Sequence, residues 1–231
     1  MASTSTARPS SAMEESRNWL EMPHELMTNI LQRLGTAEIL NSARKVCTTW
    51  RRICKNPEMW KVIVMHKSSN NRDKDYDLEW LTKQAVDLSC GELIDIRIKG
   101  FGTDELLDYI VLRSSKLKRL SLISCYEMTG SRIIQAVKRV PQLEELHILN
   151  IFINTEHIEA IGRFEAILNG CPHLESLFIG MRYNLDLDGD LKKLCMERIK
   201  DFKFYLHVEE DDHDDYGLSS RDVDGYSDYD D

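Results

Sequence analysis

Asn18-Trp19-Leu20-Glu21-Met22-Pro23-His24-Glu25-Leu26 opens a 43-residue stretch, ending at Pro57-Glu58-Met59-Trp60, whose apolar pattern decides how the chain begins. Proline at a helix start fixes φ without sacrificing a useful donor, so Pro23 marks a first turn. Leu26, Ile30 and Leu34 then recur at helical spacing, with Met27 and Leu31 alongside, and Gly35 ends the run. A second short helix is expected around Ile39, Leu40 and Ala43, and a third around Val46, Trp50 and Ile53. About 40 residues lies near the lower limit for folding without a disulfide, a metal or a partner. Each aliphatic side chain left in water forfeits roughly 1.5–3 kcal/mol. The segment must therefore complete its core on something else, either the rest of the chain or another protein.

Downstream the chain repeats itself. The spacing L-x-x-L-x-L recurs five times, at Leu93/Ile96/Ile98, Leu117/Leu120/Leu122, Leu143/Leu146/Ile148, Leu174/Leu177/Ile179 and Ile199/Phe202/Phe204. The first positions stand 24, 26, 31 and 25 residues apart. Such a period marks a repeat architecture, and alternation within each unit is a strand period with one buried face. Helix signals follow the strands: Thr103-Asp104-Glu105, Thr129, Thr155 and Gly189-Asp190 each precede an apolar helical pattern. Val140-Pro141 and Cys171-Pro172 stop helices before the next strand. Leu78, Leu81, Ala85 and Leu88 give a further helix over about 77–89, expected to cap the first repeat, with Trp80 packing back on the amino-terminal helices.

Two resemblances rest on these residues. Met22-Pro23-His24-Glu25-Leu26, Ile30-Leu31-Gln32-Arg33-Leu34, Ile39-Leu40, the run from Arg44 to Ile53 and Pro57-Glu58-Met59-Trp60 resemble the F-box. The F-box is a three-helix motif that docks on the Skp-type adaptor of Skp–cullin–F-box ubiquitin ligases. Met22 replaces the usual leucine of the opening pair, a volume-conserving change. Ala37-Glu38-Ile39-Leu40 lacks the common Asp-Leu pair. The repeats resemble the cysteine-containing leucine-rich repeats that often follow an F-box, although only Cys125 keeps the strand-closing cysteine; Phe101, Ile151 and Arg182 stand at equivalent places. Together they resemble the small plant F-box/leucine-rich-repeat proteins of the Skp-interacting-partner type.

The expected fold is thus a small three-helix F-box followed by a short leucine-rich-repeat solenoid, alternating strand and helix on a curved parallel sheet. The expected divisions are a disordered leader (1–17), the F-box (18–61), a linker with a capping helix (62–90), the repeats (91–206) and a disordered acidic tail (207–231). The resemblance implies a non-catalytic substrate-recognition subunit, bound through the Skp-type adaptor to a cullin and presenting its repeats to a client protein. A ligase-independent or decoy scaffold is the alternative. Met22, Pro23, Leu26, Ile30, Leu34, Leu40, Val46 and Trp50 are the expected adaptor contacts. Residues flanking the repeat positions point off the sheet, so Ile123, Leu149, Phe178 and Tyr205 are expected to form an apolar client strip. His147 lies beside it, and Arg97, Lys99 and Arg119 form a basic end.

Composition narrows the rest. The net charge is −9 over 231 residues, but 209–231 alone holds eleven acids and one base, leaving the remainder at +1. A basic nucleic-acid footprint is missing, and no run approaches the roughly 18 apolar residues of a membrane span. The six cysteines are scattered without a C-x-x-C pair, which disfavours a zinc module and fits reduced thiols in a nuclear or cytoplasmic protein. No nucleophile, metal or phosphate-loop motif is present, so neither a catalytic residue nor a cofactor is expected. The acidic stretch is too charged and too poor in aliphatic residues to fold.

Overall fold

Five strands were expected from the repeat; the described residues form six. A computed structural model describes residues 22–67, 76–150, 165–181 and 189–206. Helix α1 (His24–Gln32) leads to α2 (Thr36–Glu38), which runs through a π-helical segment (Ile39–Ala43) into α3 (Arg44–Val46). Cys47, at φ −155°, breaks the path, and its sulfur accepts from the Trp50 N–H to open α4 (Thr48–Ile53). Val46 therefore ends the second helical run and does not share a helix with Trp50. A 3-10 turn (Pro57–Trp60) carries the chain directly into the first strand, β1 (Val62–His66).

The extra strand is β1, inside the segment expected to be only linker and capping helix. Its Val-Ile-Val run has the branching that suits a pleated surface, and burial alternates along it. Then come α5 (Leu78–Leu88), β2 (Asp95–Lys99), α6 (Asp104–Arg113), β3 (Arg119–Ile123), α7 (Gly130–Val137) and β4 (Glu145–Leu149). A helical stretch at 165–170 precedes β5 (Ser176–Met181), and α8 (Gly189–Arg198) precedes β6 (Asp201–Leu206). The strands form one parallel sheet in the order β1-β2-β3-β4-β5-β6, so every neighbour in space is a neighbour in sequence.

Register follows the apolar pattern without a slip. Ile96 pairs with Leu120, Leu120 with Leu146, Leu146 with Leu177 and Leu177 with Phe202; Ile98, Leu122, Ile148, Ile179 and Phe204 form the parallel row. A one-residue shift would turn every one of these side chains to the other face. The leading positions Leu93, Leu117, Leu143, Leu174 and Ile199 are buried with them. Thr103 and Thr129 cap α6 and α7, their hydroxyls accepting from the N–H groups of Leu106 and Arg132. The corresponding Thr155, the start of the fourth helix and the stretches 1–21 and 207–231 lie outside the described residues.

Strands β2, β3 and β4 leave the sheet the same way. Gly100, Ser124 and Asn150 all have positive φ, and their N–H groups donate to the carbonyls of Ile123, Leu149 and Gly180 on the following strand. The left-handed turn recurs at the same place in these three repeats. The core runs without interruption from Met27 in α1 to Ile199 beyond α8. Trp60 is buried and its indole N–H donates to Cys54 O at 2.9 Å. Trp80, expected to pack on the amino-terminal helices, is instead exposed; Arg44 makes the polar link to α5, donating to Gln84 Oε1 at 3.3 Å.

Truncating Leu122 to alanine should cost about 2–5 kcal/mol, the range for a fully buried leucine that leaves a cavity. Urea denaturation followed by circular dichroism would measure it.

Candidate adaptor and client surfaces

The helical segment presents two faces. Met27, Leu31, Ile39, Leu40, Ala43 and Ile53 are buried in the common core, against β1 and α5. The segment thus completes its inner core within its own chain. Leu40, expected at the adaptor surface, belongs instead to that core, buried with Ile39 and Ala43 of the π-helical segment. The other face keeps an apolar ridge. Leu26 is 53% exposed and Val46 63%, Pro23 is exposed, and Met22, Ile30, Leu34 and Trp50 are half-buried. Lys45, Arg51 and Arg52, near Val46 in sequence, are exposed cations that apolar periodicity did not reveal.

The open face of the sheet carries the side chains that alternate with the core. Asp95 is nearly inaccessible, gripped by Arg97 Nη2 at 3.1 Å and Arg119 Nε at 3.0 Å. That bond holds the Arg119 guanidinium more firmly protonated than usual, while burial raises the neighbouring Glu145 carboxyl above its ordinary value. The expected basic end is therefore partly neutralised, two guanidinium groups sharing one carboxylate. Lys99 lies in the next row of β2, half-buried.

Phe178 does not join the apolar strip. Strand pairing places it opposite His147, with ring centroids 4.3 Å apart, and Lys203 Nζ sits 4.7 Å from its centroid. Both rings are buried. In the strip's own row Ile123 pairs with Leu149, both half-buried, and Gly180 stands between Leu149 and Tyr205, so the strip is interrupted. The Tyr205 side chain is outside the described residues. His147 Nε2 is buried without a hydrogen-bond partner among the described residues. Burial first, then the Arg97 charge, push the imidazole down to about 4, so it is neutral near pH 7.

Sequence reasoning overlooked Val62 and Val64. They are 49% and 44% exposed and extend the open face by one strand, paired with Asp95 and Arg97. Their signal was the branched run after Trp60, hidden because the repeat motif begins only at Leu93.

The Cys125 thiol, pushed up to about 12 by burial, lies within reach of the carbonyls of Ile98 and Ile123 at 3.6 and 3.5 Å, which marks a structural thiol. Among the described residues no group of three or more His, Cys, Asp or Glu could hold a metal, and no helix is long and apolar enough to cross a membrane.

A helical docking segment fused to a consecutive parallel sheet defines the class, and the F-box domain profile matches residues 19–62. The chain is 38% identical to the F-box protein SKIP19 of Arabidopsis thaliana, over 98% of this chain and 89% of that one. It is 36% identical to the putative F-box/LRR-repeat protein 23 of the same plant, over 87% of this chain and 56% of the longer relative. A fission-yeast protein, the SCF E3 ubiquitin ligase complex F-box protein pof2, is 28% identical over 70% of this chain and 33% of its own length. The chain belongs to the plant F-box/leucine-rich-repeat proteins.

The buried imidazole gives a pH signature. Above its ordinary value of 6.5, His147 is neutral in both the folded and the unfolded chain. As pH falls from 6.5 towards 4 the unfolded chain takes up the proton first, so stability is lost across that window. Urea denaturation at several pH values should show a steeper acid decline for the natural chain than for His147→Gln.

Proposed function

We propose that this protein is the substrate-recognition subunit of a Skp–cullin–F-box ubiquitin ligase, its helical segment holding the adaptor and its sheet holding a client. The observation that carries the reading is the exposure of Leu26 and Val46, with Ile30 half-buried, on a segment whose core residues are sealed within the chain. Exposed leucine and valine, together with the exposed cations Lys45, Arg51 and Arg52, fit a partner that offers an apolar groove with an acidic border. Met22, Pro23 and Leu34 extend that contact. The pof2 relative bears the ligase complex in its name, which supports the same assignment here.

The consecutive parallel strands, the repeated buried leucines and the recurring left-handed turns support reading 91–206 as a leucine-rich-repeat solenoid, with β1 as its lead-in from the F-box at 18–61. On the open face the client would meet Val62, Val64, Ile123 and Leu149 as apolar contacts. Arg97, Lys99 and Arg119 would supply charge, while His147 and Phe178 form the floor. Tyr205 shares the row of Leu149. The chain itself makes and breaks no bond. It raises the local concentration of client lysines near a charged conjugating enzyme, in the nucleus or cytoplasm.

Leu26 and Val46 are solvent-exposed in the free chain, so Leu26→Asp and Val46→Asp should leave its melting temperature unchanged. Each should weaken adaptor binding by about 2 kcal/mol or more, the scale of an interface hot spot. A titration against purified Skp-type adaptor measures this, and unchanged affinity in both variants sinks the proposal. Cullin co-purifying with the natural chain distinguishes a ligase subunit from a decoy.

A further inference from the structure

Trp80 lies on the outer side of α5 and is 50% exposed. The helix turns Leu78, Leu81, Thr82, Ala85 and Val86 into the core, which leaves Trp80, Gln84 and Asp87 along one outward stripe. Asp77 Oδ1 accepts the Trp80 backbone N–H at 2.9 Å and caps the helix, so the indole stands on a fixed first turn. A tryptophan exposed on a rigid helix is an anchor with little backbone ordering left to lose on binding.

The position of α5 points to the occupant. It packs on β1, on the 3-10 turn and on α2, so it is the lateral neighbour of the docking segment. Arg44 Nη1 donates to Gln84 Oε1 at 3.3 Å, one turn along the stripe from Trp80. Arg44 opens α3, the short helix that ends in the exposed Val46, and its carbonyl accepts from Arg51 Nε of α4 at 3.3 Å. Direct contact thus joins the stripe on α5 to the F-box surface that carries Val46. Side chains one helical turn apart are about 5–6 Å from each other, whereas an ordinary interface of about 800 Å² per partner is about 30 Å across. A single partner seated over Val46 therefore reaches Trp80. We propose that the Skp-type adaptor docks on Trp80 as well as on the F-box helices, its contact running on to the first helix after β1. This rests on the adaptor reading above and extends it to α5. The matching feature on the adaptor is an apolar pocket that takes an indole. A partner holding both α3 and α5 ties the docking segment to the sheet from outside, as β1 does from within.

The test uses the full chain and purified Skp-type adaptor. Isothermal titration compares the natural chain with Trp80→Ala. Acrylamide quenching reads the indole itself, as the difference between the natural chain and Trp80→Phe, and so does not depend on the alanine variant. Trp80→Ala should keep the natural melting temperature and bind the adaptor at least about tenfold more weakly, the scale of an anchoring aromatic. The Trp80 emission should be open to acrylamide in the free chain and shielded in the complex. Unchanged affinity, or an indole still quenched in the complex, would overturn the proposal while leaving the adaptor on the F-box. An indole already shielded in the free chain would mean that another segment of this chain occupies the face, and would overturn it too. If the natural chain binds no adaptor, the underlying reading fails and the proposal with it.

Discussion

Strand β1 is the piece on which the rest depends. Its Ile63 and Met65 are buried in the core shared with Trp60, Ile53 and α5, while its backbone pairs in register with β2. Lys61 O, just before it, accepts from the N–H groups of both Ile94 and Asp95. The same five residues thus close the helical segment from below and begin the sheet from the side. Because the join is a hydrogen-bonded ladder and a continuous core, the apolar ridge at Leu26 and Val46 is held in fixed relation to the open face. The proposed receptor role would need that rigidity, since client lysines would have to reach a site set by the adaptor.

The two candidate surfaces differ in their physics. Leu26 and Val46 are apolar and exposed, so the energy of burying them is available to a partner. On the open face Asp95 already occupies two arginines, and Phe178 is covered by His147 and Lys203. Charges satisfied within the chain gain less from a client than free ones, because a new contact must replace an existing bond. The more accessible apolar contacts sit at the margins, on Val62 and Val64 at one side and on Ile123 and Leu149 at the strand ends. Client recognition on such a face would rely on shape around a preformed lattice.

Much of the architecture was legible because two periods are hard to counterfeit. The L-x-x-L-x-L spacing placed β2 to β6, and the threonines at 103 and 129 placed the helix caps. The helical spacing of Leu26, Ile30 and Leu34 placed α1. Less was legible where a segment obeyed neither period. Strand β1 lacks the leading leucine of the motif, so it read as linker. In the π-helical turn at Ile39–Ala43 Leu40 lies inside, whereas Val46 beyond it lies outside.

The sequence by itself determined the units, since burial of alternating leucines and the branching at each strand leave one sensible register. It also determined where charge resides, because eleven acids in one stretch are a matter of covalent order. Only the tertiary structure decided which side chains remain for partners. Whether Arg119 is free or Phe178 is open depends on Asp95 and His147, brought from distant positions. Those contacts are set by packing across strands 24 to 31 residues apart, beyond the reach of any local pattern.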